Sequence, residues 1–135
     1  MYDATMTTGK RLWPLASILL FATACSAELS ADITINSSAF TPTSCRSGQV
    51  NGFSGVDLID DKEQTLRLVQ TPANKPLVIL FEGEKPLEFG ECGTLSLDRQ
   101  NSTINDITNV MGKATLDCKL EDRSISGTLT FKNCH

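Results

Sequence analysis

Beyond residue 28 the chain is written in alternating apolar and polar positions. Leu29, Ala31, Ile33 and Ile35 are spaced by Ser30, Asp32, Thr34 and Asn36, the period of two that predicts a half-buried β-strand. Ser37 to Ser47, with Pro42 and repeated Ser and Thr, reads as a loop holding Cys45, and Val50 to Phe53 as a short strand among Gly48, Gly52 and Gly55. Val56 and Leu58 flank Asp57, Leu66 and Leu68 flank Arg67, and the polar Asp60-Asp61-Lys62-Glu63 between them predicts a hairpin. After a turn region at Thr71 to Pro76, Leu77-Val78-Ile79-Leu80-Phe81 runs without alternation. Such a run predicts a strand covered on both faces, at the centre of a sheet or under a crossing strand. Glu82 to Pro86 is a turn, Leu87 with Phe89 and Leu95 with Leu97 mark two further strands, and Gln100 to Asp106 reads as a polar loop.

The clearest pattern comes last. Val110, Gly112, Ala114, Leu116, Cys118 and Leu120 occupy even positions, and after Glu121-Asp122 the apolar set moves to odd ones, Ile125, Gly127, Leu129 and Phe131. Residues opposed on one face of this antiparallel pair must then have numbers with an odd sum, because a slip of one residue would turn the core face outward. A two-residue loop at Glu121-Asp122 pairs Ala114 with Leu129 and Gly112 with Phe131, small against large. A four-residue loop satisfies the same parity. No stretch of ten or more residues beyond residue 25 has a helical period, and turns recur throughout. The fold class predicted is all-β, a small antiparallel sandwich or barrel of seven to nine short strands.

Cysteine parity refines this. By number, Cys118 shares the core face while Cys134 falls on the opposite face of its strand, which argues against a bond between them across the hairpin. Four cysteines in the body allow three connectivities. Folding Leu95-Leu97 back onto Ala114-Leu116 brings residue 92 near residue 118, so the preferred pairs are Cys45 with Cys134 and Cys92 with Cys118. In a chain-entropy picture these loops stabilise by up to about 4.6 and about 3.5 kcal/mol.

The start of the chain has a different grammar. Lys10 and Arg11 precede an uncharged run from Leu12 to Ala24 that closes on small residues, the order of a secretory signal. At about 1.5 Å per residue it is too short to span a hydrocarbon core of about 30 Å. Met6 offers a start without Asp3 in the basic region. Ala22-Thr23-Ala24 is an A-x-A site that would release a soluble periplasmic or secreted protein. Phe21-Ala22-Thr23-Ala24-Cys25 also resembles the lipobox of bacterial lipoproteins, departing from it at Ala22, where a larger aliphatic is usual. That resemblance implies diacylglycerol on Cys25, acylation of the new terminus, and stable anchoring in a bilayer; Ser26 in place of Asp implies the outer membrane where one exists. Five cysteines are an odd set for an exported protein, and lipidation of Cys25 leaves an even one. The organisation expected is a signal peptide over 1–24, a lipidated N-terminus and spacer over 25–31, and one β domain over 32–135.

Composition narrows the partners. From Cys25 on, 10 basic residues stand against 15 acidic ones, so no nucleic acid is expected, since phosphate contacts need Lys and Arg. Trp13 and Tyr2, the sole residues of their types, both precede Cys25, which lowers the expectation of sugar or base stacking and predicts almost no absorbance at 280 nm for the mature protein. The one histidine is His135 and no C-x-x-C occurs, which disfavours a His-based catalytic set and a zinc site. Asp57, Asp60, Asp61 and Glu63 gather at one hairpin as weak candidates for a hard cation, against the plainer expectation of a solvated acidic turn. Glu82, Glu84, Glu88 and Glu91 form a second acidic group, and a two-carboxylate hydrolase would need two of them facing across a cleft. No metal, no cofactor and no enzyme activity are expected. The function expected is a membrane-anchored domain for protein binding or envelope structure, with an exported inhibitor of a lysozyme or protease as the alternative.

Overall fold

A computed structural model describes residues 27–104 and 107–135, with side chains 101–107 left aside; Cys25 and the leader lie outside the described residues. Ten strands form, β1 (Glu28–Ile35), β2 (Ser38–Phe40), β3 (Ser44–Ser47), β4 (Gly55–Ile59), β5 (Gln64–Gln70), β6 (Pro76–Glu82), β7 (Lys85–Glu91), β8 (Thr94–Ile104), β9 (Ile107–Leu120) and β10 (Arg123–Cys134). They build a sandwich-like pair of five-stranded sheets, ordered β2-β1-β10-β9-β8 and β3-β4-β5-β6-β7. We call these sheet A and sheet B. Every strand pairing is antiparallel.

The register obeys the parity and selects between the two loops it allows. β9 and β10 pair Ala114 with Leu129, Gly112 with Phe131 and Leu120 with Arg123, so the hairpin loop is the two-residue one, with Glu121 at φ 60°. β4 and β5 pair Val56 with Leu68 and Leu58 with Leu66, placing all four in the core at 0% exposure. Val78 and Leu80 join them from β6, facing Ile33, Ile35, Leu95, Leu116, Ile125 and Leu129 of sheet A. Burying one such side chain contributes about 1.5–3 kcal/mol.

Both disulfides cross between the sheets. Cys45 on β3 joins Cys134 on β10, and Cys92 after β7 joins Cys118 on β9, with Cα separations of 5.2 and 5.4 Å. These are the pairs expected, although the face assigned to Cys134 was wrong. Between Phe131 and Cys134 the register shifts, and Asn133 takes φ 59°. That bulge absorbs one residue and turns Cys134 back into the core, where it is 0% exposed. Glu82 of β6 and Arg123 of β10 add an ion pair across the sheets at 3.2 Å.

Several local expectations give way. Ser37 to Ser47 is not all loop, since β2 and β3 lie within it. Val50 to Phe53 is not a strand: Gly48–Asn51 is a 3-10 helix, capped at its start by Ser47 Oγ accepting from Gln49 N and at its end by Gly52 in the left-handed region at φ 84°. Gln100 to Ile104 continues β8 past a register shift instead of forming a loop. β1 begins at Glu28, inside the stretch expected to be a spacer. β6 lies beside β7, second from the edge of sheet B, with β5 at the centre. Its Pro76, Val78 and Leu80 are buried, while Leu77, Ile79 and Phe81 are half-buried on the outer face, with no strand over them among the described residues.

Candidate binding faces

The outer face of sheet B is built from five registered positions, one per strand. Arg46 of β3 pairs with Asp57 of β4, Asp57 with Arg67 of β5, Arg67 with Ile79 of β6, and Ile79 with Glu88 of β7. Because β-strands alternate faces, the neighbouring outward positions follow: Ile59, Thr65 and Phe81 on one side of this row, Gly55, Val69 and Leu77 on the other. Apolar residues dominate and are half-buried by one another; Phe53 leans in from the 3-10 loop.

At the centre sits a stacked ion pair. Arg67 Nε donates to Asp57 Oδ1 at 2.8 Å and Arg67 Nη2 to Asp57 Oδ2 at 3.0 Å, a bidentate pairing. The guanidinium carbon lies 4.5 Å from the Phe53 ring centroid and 4.9 Å from that of Phe81, within cation–π range of both. Asn51 Nδ2 donates to Asp57 Oδ2 at 3.3 Å. Asp57 is only 3% exposed although it is on the outside of the sheet. The carboxylate's hydrogen bonds push the Arg67 pKa up, with burial opposing and the charge of Asp57 adding to the rise. An open cavity of about 320 Å³ adjoins the pair, reached by Arg46, Ile59 and Thr65. Chemically the arrangement is a neutralised, preorganised platform with an apolar surround.

The four carboxylates proposed for a cation do not converge. Asp57 is taken by Arg67. Asp60 turns inward at the β4–β5 loop, where Oδ1 accepts from Lys62 N at 2.9 Å and Gln64 N at 2.8 Å, fixing the turn. Asp61 and Glu63 point to solvent. Among the described residues no three His, Cys, Asp or Glu side chains gather as a metal group. Of the second acidic set, Glu82 is paired with Arg123, while Glu84, Glu88 and Glu91 are exposed along the β7 edge. They line no common cleft.

Sheet A turns a different surface outward. Its rows read Thr94, Thr115, Thr128 and Asp32, then Ser96, Lys113, Thr130 and Ser30, all exposed. Two open hollows lie on it, of about 720 Å³ beside Asn74 and Lys75 and about 490 Å³ beside Met111 and Glu28, and they share Ser96, Asp98, Lys113 and Thr130. Met111 is 37% exposed there. No residue of these hollows is an aromatic able to stack on a flat ligand except Phe131, which is buried.

The platform around Arg67 was missed in the sequence, but its signal was present: the register that opposes Leu58 to Leu66 and Val56 to Leu68 necessarily opposes Asp57 to Arg67. The two inter-sheet disulfides suggest an oxidising, exported environment. No helix among the described residues is long and apolar enough to cross a membrane. No family model, curated protein or solved structure matches the chain, so geometry and chemistry carry the functional reading.

Proposed function

We propose that the chain is an exported lipoprotein whose non-enzymatic β-sandwich, held at a membrane by acylated Cys25, binds a protein partner or contributes to envelope structure. The observation that carries this reading is the use of the cysteines. Cys45, Cys92, Cys118 and Cys134 are consumed by two disulfides, and Cys25 is the one left over, at the end of the lipobox-like run. Two residues, Ser26 and Ala27, lie between it and the first strand, so the two can be at most about 11 Å apart. The outer membrane is the destination that Ser26 favours. A rigid scaffold with an apolar outer face suits protein contact better than chemistry, since the carboxylates are capped, paired or dispersed.

Intact mass spectrometry of the protein recovered from the membranes of its producing cell tests this. Acyl groups on an N-terminal Cys25 are expected, together with both disulfides. A wholly aqueous protein with an unmodified terminus would overturn the anchor.

One feature favours the second reading, an inhibitor of a hydrolase. Val50 is 42% exposed at the tip of the 3-10 loop, whose backbone is held by Phe53 N donating to Gly48 O at 3.0 Å and Gly52 N to Gln49 O at 3.2 Å. A stiff loop with an apolar tip can fill an enzyme pocket at low entropic cost. Inhibition of a lysozyme or protease that Val50→Asp abolishes would favour this reading over the first.

A further inference from the structure

Among the described residues no strand covers the outer face of sheet B, where Phe53 leans in beside Arg67, and its edges differ in charge. Arg46 lies on β3 at one edge and Glu88 on β7 at the other, at the two ends of one cross-strand row. Both are exposed, and neither joins an ion pair within the described residues, where the pairs are Arg67 with Asp57 and Arg123 with Glu82. Between them the row is electrically closed, because Asp57 and Arg67 neutralise each other, and then apolar at Ile79.

Such a face is complementary to itself. A two-fold axis parallel to the strands and lying over β5 reverses strand order from one copy to the next while keeping the rows. It sets β3 of each copy over β7 of the other, so Arg46 meets Glu88 twice. The flanking rows agree: Ile59 of β4 comes over Phe81 of β6, and Val69 of β5 over its own counterpart. Leu77 of β6 comes over Gly55 of β4, where a Cβ would run into the Leu68 carbonyl oxygen and, beyond it, the Phe53 ring. The alternative two-fold, perpendicular to the strands, would bring Arg46 onto Arg46 and Glu88 onto Glu88. Both axes set the Asp57-neutralised Arg67 opposite its counterpart, so the rim charges alone select one orientation, and an isologous contact requires this mutual complementarity.

We propose that a second copy of this chain docks on the outer face of sheet B, face to face, with Arg46 and Glu88 pairing reciprocally at the rims. This rests on the reading of the chain as a protein-binding module and names the partner. The patch spans four inter-strand spacings, about 20 Å, by a similar length along the strands. That is the size of a weak, transient contact, and a dissociation constant no weaker than about 10⁻⁴ M is the expectation that the measurement below checks. Confinement of both copies to one membrane plane would raise their effective concentration and favour pairing.

Sedimentation velocity on the exported, matured chain, in density-matched detergent where needed, reads the association directly. A concentration-dependent dimer is expected. R46E leaves two acidic rims and E88R two basic ones, so each variant alone should weaken the dimer by roughly tenfold or more. Mixed together they should form a one-to-one heterodimer, and the double variant R46E/E88R should self-associate as the wild type does. Ile79→Glu should abolish the dimer with the fold's circular dichroism unchanged. A monomer at up to about 0.5 mM, well above the range expected for so small a patch, would overturn the proposal. So would a dimer indifferent to both charge reversals, or a complex in which a different protein occupies this face. Acylation at Cys25 without dimer defeats this inference alone, whereas a dimer without acylation defeats the anchor alone.

Discussion

Sheets A and B bury similar inner faces and turn unlike outer ones to solvent. On sheet A the outward residues of β8, β9 and β10 are Thr, Ser, Lys and Asp with one Met, and nearly every one is exposed. On sheet B the outward residues of β5 and β6 are Val69, Leu77, Ile79 and Phe81 with Thr65 around Arg67, all half-buried, and Asp57 beside them is 3% exposed. An antiparallel sheet with one solvated face normally shows the first pattern. Sheet B carries a shallow second core on its outside. The difference teaches that the two layers of a sandwich need not have the same relation to water: one turns a solvated face outward, and the other keeps a half-buried apolar one.

That contrast can be broken most directly at Arg67. Arg67→Ala leaves the Asp57 carboxylate enclosed without its counter-charge, and urea unfolding should report a loss of about 3 kcal/mol. A loss below about 1 kcal/mol would place the pair among ordinary surface ion pairs and erase the distinction between the faces. Replacing both partners, as D57L/R67M, should restore stability to near that of the wild type, since well-packed apolar side chains often replace an enclosed pair at little cost. Phe81→Ala removes apolar cover and one ring from the guanidinium, and the expected loss is about 1–2 kcal/mol. Glu82→Ala opens the half-exposed bridge to Arg123 and should cost about 0.5 kcal/mol, a measure of how little ion pairing alone contributes at the sandwich edge. On sheet A, Lys113→Ala or Thr128→Ala should move the midpoint by no more than about 0.5 kcal/mol in either direction. A sheet A substitution as costly as Arg67→Ala would mean that both faces are structural.

The sequence was most readable where one physical constraint acted alone. The β9–β10 register follows from parity and a tight loop, and it is the observed one; the two disulfides follow from folding Leu95 and Leu97 onto that hairpin, and Leu95 does oppose Ala114. Reading failed where a second constraint intervened. The bulge at Asn133 reverses the face of Cys134, and nothing in the alternation of Ile125, Leu129 and Phe131 announces it; only the need to reach Cys45 does. Val50 and Phe53 resemble strand residues, but Ser47 and Gly52 cap a 3-10 turn between them. Leu77 to Phe81 is apolar on both faces as its pattern predicts, but among the described residues no strand lies over the second. The pattern reports that a face prefers to be covered, not that the same chain covers it. The Asp57–Arg67 pair follows only once Leu58 is set opposite Leu66, a register that the predicted hairpin leaves open, and its half-buried setting depends on Phe53, which only the folded loop brings near.

The strand order of sheet A places β10 at its centre, between β1 and β9. The first strand of the fold and the last are thus neighbours, hydrogen-bonded from Glu28 opposite Lys132 to Ile35 opposite Ile125. A chain that emerges across a membrane with its amino end leading can form the β4–β5–β6–β7 meander early, from local hairpins, but sheet A lacks its middle until residues 123–134 arrive. The Cys92–Cys118 bond can close before then; Cys45 must wait for Cys134, which closes a loop around it. A chain made in this order therefore keeps one layer open until its last strand slots between β1 and β9.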